Sequence, residues 1–180
     1  MIGTGYVGLV SGACFADLGN NVWCVDKIKE KIDMLNDGEI PIYEPGLKEI
    51  VGKNYDSGRL KFTTNLSYAV RESDLIFICV GTPTSKDGSA NLNHVYNAAK
   101  DIANNINKFK IIINKSTVPV CTGDEVEKII AKKVKRNNFE VISNPEFLRE
   151  GDAIRDFRYP DRIVIGLNNK KIIKKIRDLY

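Results

Sequence analysis

Near the start of the chain, Gly3-Thr4-Gly5-Tyr6-Val7-Gly8 follows the pattern G-x-G-x-x-G. In such a loop the first glycine permits the tight turn from a strand into a helix. The second lets backbone approach a pyrophosphate, and the third lets the helix pack closely on the sheet. Amides at the helix N-terminus, helped by the helix dipole, then face the phosphates. Alone the pattern is weak, but its setting adds weight. It opens a helical stretch from Tyr6 to Leu18, and a strand-like run, Asn21 to Asp26 (NVWCVD), follows and ends on an acid 18 residues after Gly8. A carboxylate there accepts from the ribose hydroxyls of an adenosine and repels a 2′-phosphate, which makes NAD the expected cofactor rather than NADP. A plainer reading, a glycine-rich packing helix with a chance acid, stays open at this point. Only Met1 and Ile2 precede Gly3, so the strand that normally leads into such a loop is expected to be largely missing.

The remaining chain alternates short apolar runs with amphipathic stretches. Asp74 to Val80, Lys110 to Ser116 and Phe139 to Ser143 read as strands, with a shorter one from Arg59 to Thr63. Their apolar residues are continuous instead of alternating, as a parallel sheet covered on both faces requires. Leu92 to Ile106 places Val95, Ala98, Ala99, Ile102 and Ile106 on one helical stripe, and Gly123 to Val134 does the same with Val126, Ile129, Ile130 and Val134. This rhythm predicts an α/β fold, a Rossmann-like, doubly wound, mostly parallel sheet in a three-layer α/β/α sandwich. Gly38 to Gly46, with two prolines, reads as an ordered loop leading into a short helix.

At 180 residues, 43% apolar and 28% charged, the chain has the bulk for one domain (1–180) and excludes a disordered tail, a collagen-like chain or a disulfide miniprotein. The net charge of +4 sits in short clusters such as Lys132-Lys133 and Lys170-Lys171, with no interleaved aromatics, so solvated helix faces are expected and no nucleic-acid partner. Cys14, Cys24, Cys79 and Cys121 form no CxxC pair, and three lie in apolar stretches, consistent with a reduced, cytoplasmic compartment. With His94 the only histidine, a Cys/His zinc cage or a Ser-His-Asp triad is not expected, and His94 reads as a surface helical residue. The uncharged first 16 residues lack a basic n-region and are broken by four glycines, and no apolar run is long enough to span a bilayer, so no membrane partner is expected.

Ligands of open α/β sheets sit at the carboxyl ends of the strands. Three polar loops are expected there: Val80 to Thr84 (VGTPT), Lys115 to Pro119 (KSTVP) and Asn144 to Gly151 (NPEFLREG). Small and hydroxylated residues in them let a flat cofactor pass close to the backbone. Glu146 and Glu150, four apart, would share a face if their loop turns helical, and both are candidates for positioning water or accepting protons. For any single loop, turn chemistry alone is an equal explanation.

The glycine loop GTGYVGLV, the loops VGTPT and KSTVP, and above all SNPEFLREGDAIRDFRYPDRIVIG resemble the UDP-glucose/GDP-mannose dehydrogenase family in its UDP-glucose 6-dehydrogenase branch, from Ile2 to about Gly166. The resemblance implies NAD-dependent four-electron oxidation of UDP-glucose to UDP-glucuronate. The aldehyde would be trapped on a cysteine, oxidised to a thioester and hydrolysed. Members of the family are longer. A second α/β domain supplies the catalytic cysteine, a lysine and an aspartate, all expected outside these residues, so none of the four cysteines is assigned as nucleophile.

The resemblance further implies that Gly3, Thr4, Gly5, Tyr6, Val7, Gly8, Asp26 and Lys31 hold the adenosine and pyrophosphate, and that Thr84, Ser116, Thr117 and Glu150 line the nicotinamide side. Thr117 would also bond the catalytic water and Glu146 would serve the hydrolytic half, with Glu146, Phe147, Leu148, Arg149 and Glu150 bordering the sugar. A homo-oligomer formed through parts outside this chain is implied as well. The alternatives are a GDP-mannose or UDP-N-acetyl-sugar dehydrogenase, a catalytically silent nucleotide-binding module, or a single-step hydroxyacid dehydrogenase. The last would leave PEFLREG unexplained.

Overall fold

The computed structural model describes residues 1–180. In chain order the elements are α1 (Tyr6–Asp17), β1 (Val22–Val25), α2 (Lys29–Asn36), α3 (Leu47–Asp56), β2 (Leu60–Thr63), α4 (Leu66–Glu72) and β3 (Leu75–Ile78). They continue with α5 (Asn93–Ala103), β4 (Lys110–Asn114), α6 (Thr122–Ala131), β5 (Phe139–Ser143), α7 (Ala153–Arg158) and α8 (Ile173–Arg177). All five strands expected from the sequence form, trimmed by one to three residues where a run reached into a loop.

Pairing is parallel throughout the ladders. Val22 faces Leu60 in β1–β2, Leu75 faces Ile111 in β3–β4, and Lys110 faces Phe139 in β4–β5. Between the two half-sheets runs Met1–Gly3, in which Ile2 bridges Val25 on one side and Ile78 on the other. The Ile2 amide donates to Phe77 O (2.8 Å) and the Cys79 amide to Ile2 O (2.9 Å). On the other side the Gly3 amide donates to Val25 O (2.7 Å) and the Val25 amide to Met1 O (2.8 Å). The order is therefore β2-β1-Ile2-β3-β4-β5, and the strand order reverses at Ile2, immediately before the glycine loop.

Two cores cover the sheet. On one face α1 lies flat, with every residue from Gly8 to Ala16 buried, and Phe15 meets Phe77, Phe157 and Tyr180 at ring-centroid distances of 5.2, 4.9 and 5.2 Å. That core takes residues from both half-sheets, among them Cys24, Phe62, Ile113 and Ile142. On the other face Val95, Ala98, Ala99 and Ile102 of α5, with Val126 and Ile130 of α6, cover Ile76, Ile78, Ile112 and Val141. The α5 and α6 stripes are those read from the sequence. Ile106 and Val134 fall just past the helix ends, yet the Val134 amide still donates to Ile130 O (3.0 Å) and both side chains pack on the core. Helices α2, α4, α7 and α8, five to eight residues each, were not expected: so few residues give too little periodicity to read.

Cys14, Cys24 and Cys79 are buried and Cys121 is exposed. Burial pushes the first three thiols up to about 12, 11 and 12, far from nucleophilic at neutral pH. His94 is exposed on α5. No helix is long and apolar enough to cross a membrane.

Candidate functional site

Because every ladder is parallel, all strands end on one edge, and the polar loops gather there. Gly3 has φ +101°, and a Cβ on it would lie 2.6 Å from Cys79 O. A Cβ on Gly8 would lie 2.0 Å from Gly3 O, whereas one on Gly5 would meet nothing within 4 Å. The first and third glycines are therefore demanded by packing, and the second keeps an open approach. Gly5 caps α1 without a side chain, and the amides of Tyr6, Val7 and Gly8 are left without partners in the chain. Those unspent donors at the start of a 12-residue helix fit a pyrophosphate.

Asp26 lies beside this loop. Its Oδ2 accepts from the Thr4 amide (2.9 Å) and the Thr4 hydroxyl (2.8 Å), and its Oδ1 accepts from the Ile28 amide (3.1 Å). Partial burial acts to raise its pKa, but these three bonds, aided by the Lys31 charge, outweigh it and hold the carboxyl below its ordinary value. Asp26 is thus a fixed carboxylate, with acceptor capacity left on Oδ1 for a sugar hydroxyl.

The other loops are tied to one another. The Thr82 hydroxyl donates to Thr117 O (2.8 Å), which joins the loop after β3 to the loop after β4. Ser116 is buried, and its hydroxyl bridges to Ile78 O (3.2 Å) and Val80 O (2.8 Å). Thr84 and Thr117 are exposed at the rim. Next to Ser116 and Lys115, the Asn114 amide is 2% exposed, and neither its oxygen nor its nitrogen has a partner.

The segment from Asn144 to Asp152 is not helical, so Glu146 and Glu150 do not share a helix face. Glu146 instead folds back onto its own turn, its Oε2 accepting from the Leu148 amide (2.6 Å), while Glu150 is exposed. The shape is imposed from outside. Arg149 forks onto Asp156 (3.0 and 2.7 Å) and Asp152 (2.9 Å), which commits its guanidinium to holding the turn before α7. Phe147 is half-exposed with the Arg162 guanidinium over its ring at 4.7 Å, and Leu148 packs on the core.

Sequence reasoning missed Glu44. Only 6% exposed, it lies in the loop leading to α3, and its carboxylate accepts from the amides of Gly151 (2.8 Å), Ala153 (2.9 Å) and Ile154 (3.4 Å), and from the Tyr6 phenol. Burial, then the bond to Glu44, push the Tyr6 hydroxyl up to about 12. One buried acid thus clamps the glycine loop to the Glu146–Gly151 loop. An acid in a proline-rich stretch carries no periodic signal that would have exposed this role.

Residues 1–180 match the model of the UDP-glucose/GDP-mannose dehydrogenase family, NAD binding domain. The chain belongs to that family. It is 58% identical over 169 residues (93% of this chain, 39% of the relative) to a UDP-glucose 6-dehydrogenase of Rhizobium meliloti, and 53% identical over its full length (39% of the relative) to UDP-glucose 6-dehydrogenase TuaD of Bacillus subtilis. Among solved structures, a UDP-glucose dehydrogenase from Pyrobaculum islandicum superposes with a TM-score of 0.95 at 42% identity, covering 99% of this chain and 42% of that one. A GDP-mannose dehydrogenase from Pseudomonas aeruginosa gives 0.96 at 36% identity, covering 99% and 43%. The chain spans about two fifths of the length of these relatives. The Rossmann-like fold and the NAD cofactor expected from the sequence are those of the family's NAD binding domain.

Proposed function

We propose that this chain is the NAD-binding half of an enzyme that oxidises the primary alcohol of UDP-glucose to the carboxylate of UDP-glucuronate. The carrying observation is the fixed Asp26 carboxylate beside a glycine loop with unspent amides. NAD, when bound, takes up hydride. Gly3 to Gly8, Asp26 and Lys31 hold its adenosine and pyrophosphate, and Thr84, Ser116, Thr117 and Glu150 flank the nicotinamide side. Thr117, exposed at the rim, would orient water, and Glu146, anchored through one oxygen, would use the other to exchange a proton. Phe147, Leu148, Arg149 and Glu150 border the sugar, Arg149 by holding the turn. Support for UDP-glucose over GDP-mannose comes from identities of 58% and 53% to UDP-glucose 6-dehydrogenases against 36% to the GDP-mannose enzyme. The same reading includes a cytoplasmic location, assembly as a homo-oligomer, and no nucleic-acid or membrane partner.

Fusing residues 1–180 to the remaining C-terminal part of the Rhizobium meliloti enzyme tests the proposal. Two NADH per UDP-glucose are expected, with little turnover of GDP-mannose. One NADH per sugar, or a preference for GDP-mannose, would overturn it.

A further inference from the structure

Tyr6 is the first helical residue of α1, and its two polar groups have different partners. Its backbone amide is one of the three left unmet at the start of the helix, and that first turn carries neither a side-chain cap nor an acid. A helix start with unmet amides frays readily, and an anion seated on it supplies the missing acceptors. The burial that pins α1 begins only at Gly8, while Tyr6 and Val7 stay partly exposed. The phenol of Tyr6 donates to Glu44 and accepts from the Gly151 amide (3.0 Å). The loop it reaches has few other ties of this kind. Between Glu146 and Gly151, the Leu148 amide bonds to Glu146 (2.6 Å) and the Arg149 amide to Asp156 (3.0 Å), both local to the loop and α7. Among its hydrogen bonds, those to Tyr6 and Glu44 alone join this loop to the part of the molecule that carries the glycine loop.

We propose that Tyr6 is a positioning residue that couples the dinucleotide site to the Glu146–Gly151 loop. Pyrophosphate on its amide fixes the first turn of α1, the fixed turn holds the phenol on Glu44 and Gly151, and the loop opens less often. The inference rests on the function proposed above, under which the loop bordering the sugar is firmest once the dinucleotide is in place. Such coupling is reciprocal, so a loop held from the sugar side firms the helix start for the dinucleotide.

Amide hydrogen exchange in residues 1–180, with and without ADP, tests this. ADP carries the adenosine and the pyrophosphate but no nicotinamide, so it leaves empty the side assigned to Glu150. An amide that exchanges through opening of its own loop is slowed by a ligand only if the ligand steadies that loop. At saturating ADP the Gly151 and Ala153 amides, both bonded to Glu44, should exchange about three- to tenfold more slowly, the range for one hydrogen bond made firmer. Tyr6→Phe, which keeps the amide and removes the hydroxyl, should lose that slowing, and so should Glu44→Ala. Slowing of the same size in Tyr6→Phe would overturn the coupling. So would ADP bound by the unaltered chain with no slowing at Gly151, whether or not either variant folds. Calorimetry on the same samples reads the dinucleotide assignment separately: ADP that binds without slowing these amides fells the coupling alone, and ADP that does not bind fells both.

Discussion

On the function proposed, Asp26 serves two partners at once. Three of its acceptor positions hold Thr4 and Ile28, and what remains on Oδ1 is available for ribose. Asp26→Ala should therefore weaken NAD binding by about 1.5–3 kcal/mol and narrow the preference over NADP. Calorimetry with both dinucleotides checks this, and equal affinity of the unaltered chain for NAD and NADP would refute the assignment. Glu44 acts through position instead of contact. In Glu44→Gln an amide nitrogen would face amide donors, so we expect a loss of about 1–3 kcal/mol in denaturant unfolding. Tyr6 should also ionise below its present value of about 12, read as the ultraviolet difference between Glu44→Gln and its Tyr6→Phe double variant. The two acids also mark the limit of legibility at this scale. Asp26 was readable because its distance from a glycine loop is set by one helix and one strand. Glu44 meets its partners more than a hundred residues away, and no local pattern encodes such a meeting.

Among elements, α1 makes the sharpest demand, and its glycines separate packing from binding. Gly8→Ala would drive a methyl into Gly3 O and Gly12→Ala one to 2.6 Å from Cys24 Sγ, whereas Gly5→Ala fills open space. Gly8→Ala is expected to lower the melting temperature sharply, as overpacking against backbone costs roughly 1–3 kcal/mol or more. Gly5→Ala should melt near the unaltered chain yet lose NAD affinity, because on the proposed reading its methyl enters the open space kept for the pyrophosphate. Equal melting losses in both would reject the division of roles. The strands and long helices were legible because burial on both faces leaves an apolar signature, as in Lys110–Asn114, where all five residues are buried. The loop carrying Glu146 does not turn helical, so the condition under which Glu146 and Glu150 would share a face is not met. Its conformation answers to Arg149, Asp152, Asp156 and Glu44 together, and spacing alone cannot report such a balance.

For the molecule as a whole, acid sensitivity follows from depressed carboxyls. Hydrogen bonds from Lys53, with Asn54 and Arg158, lower Asp17, and those from Thr4 and Ile28 lower Asp26 against the effect of burial. A carboxyl whose folded value lies below its unfolded one adds stability above the unfolded value, and that contribution disappears as pH falls through the folded value. Melting temperature should thus be nearly flat from pH 7 to about 5 and decline below the ordinary 3.8, with Asp156, lowered to about 2 by its bonds from Arg149, the last to protonate. Asp17→Asn should flatten the decline, and a melting curve indifferent to pH down to 2 would contradict the picture. Burial makes Cys14, Cys24 and Cys79 poor nucleophiles, so NAD binding without NADH production from UDP-glucose is expected of residues 1–180 in an absorbance assay, and sustained NADH would point to the exposed Cys121.

The join at the centre of the sheet also bears on how the molecule comes apart. Four backbone hydrogen bonds through Met1–Gly3, and the Met1 ammonium on Trp23 O (2.6 Å), join the half-sheets. The core over α5 and α6 rests almost wholly on β3–β5, and on that side β1 is held through Trp23 against Tyr68 of α4, so most of the tie to β1–β2 runs through the α1 face. Amides of β1 and β2 should therefore exchange with solvent as a cooperative unit of lower free energy than those of β3–β5, a seam along which the domain opens before it unfolds. The glycine loop lies on that seam, so a bound dinucleotide would act as a stitch, slowing exchange in the β1–β2 unit more than in the rest.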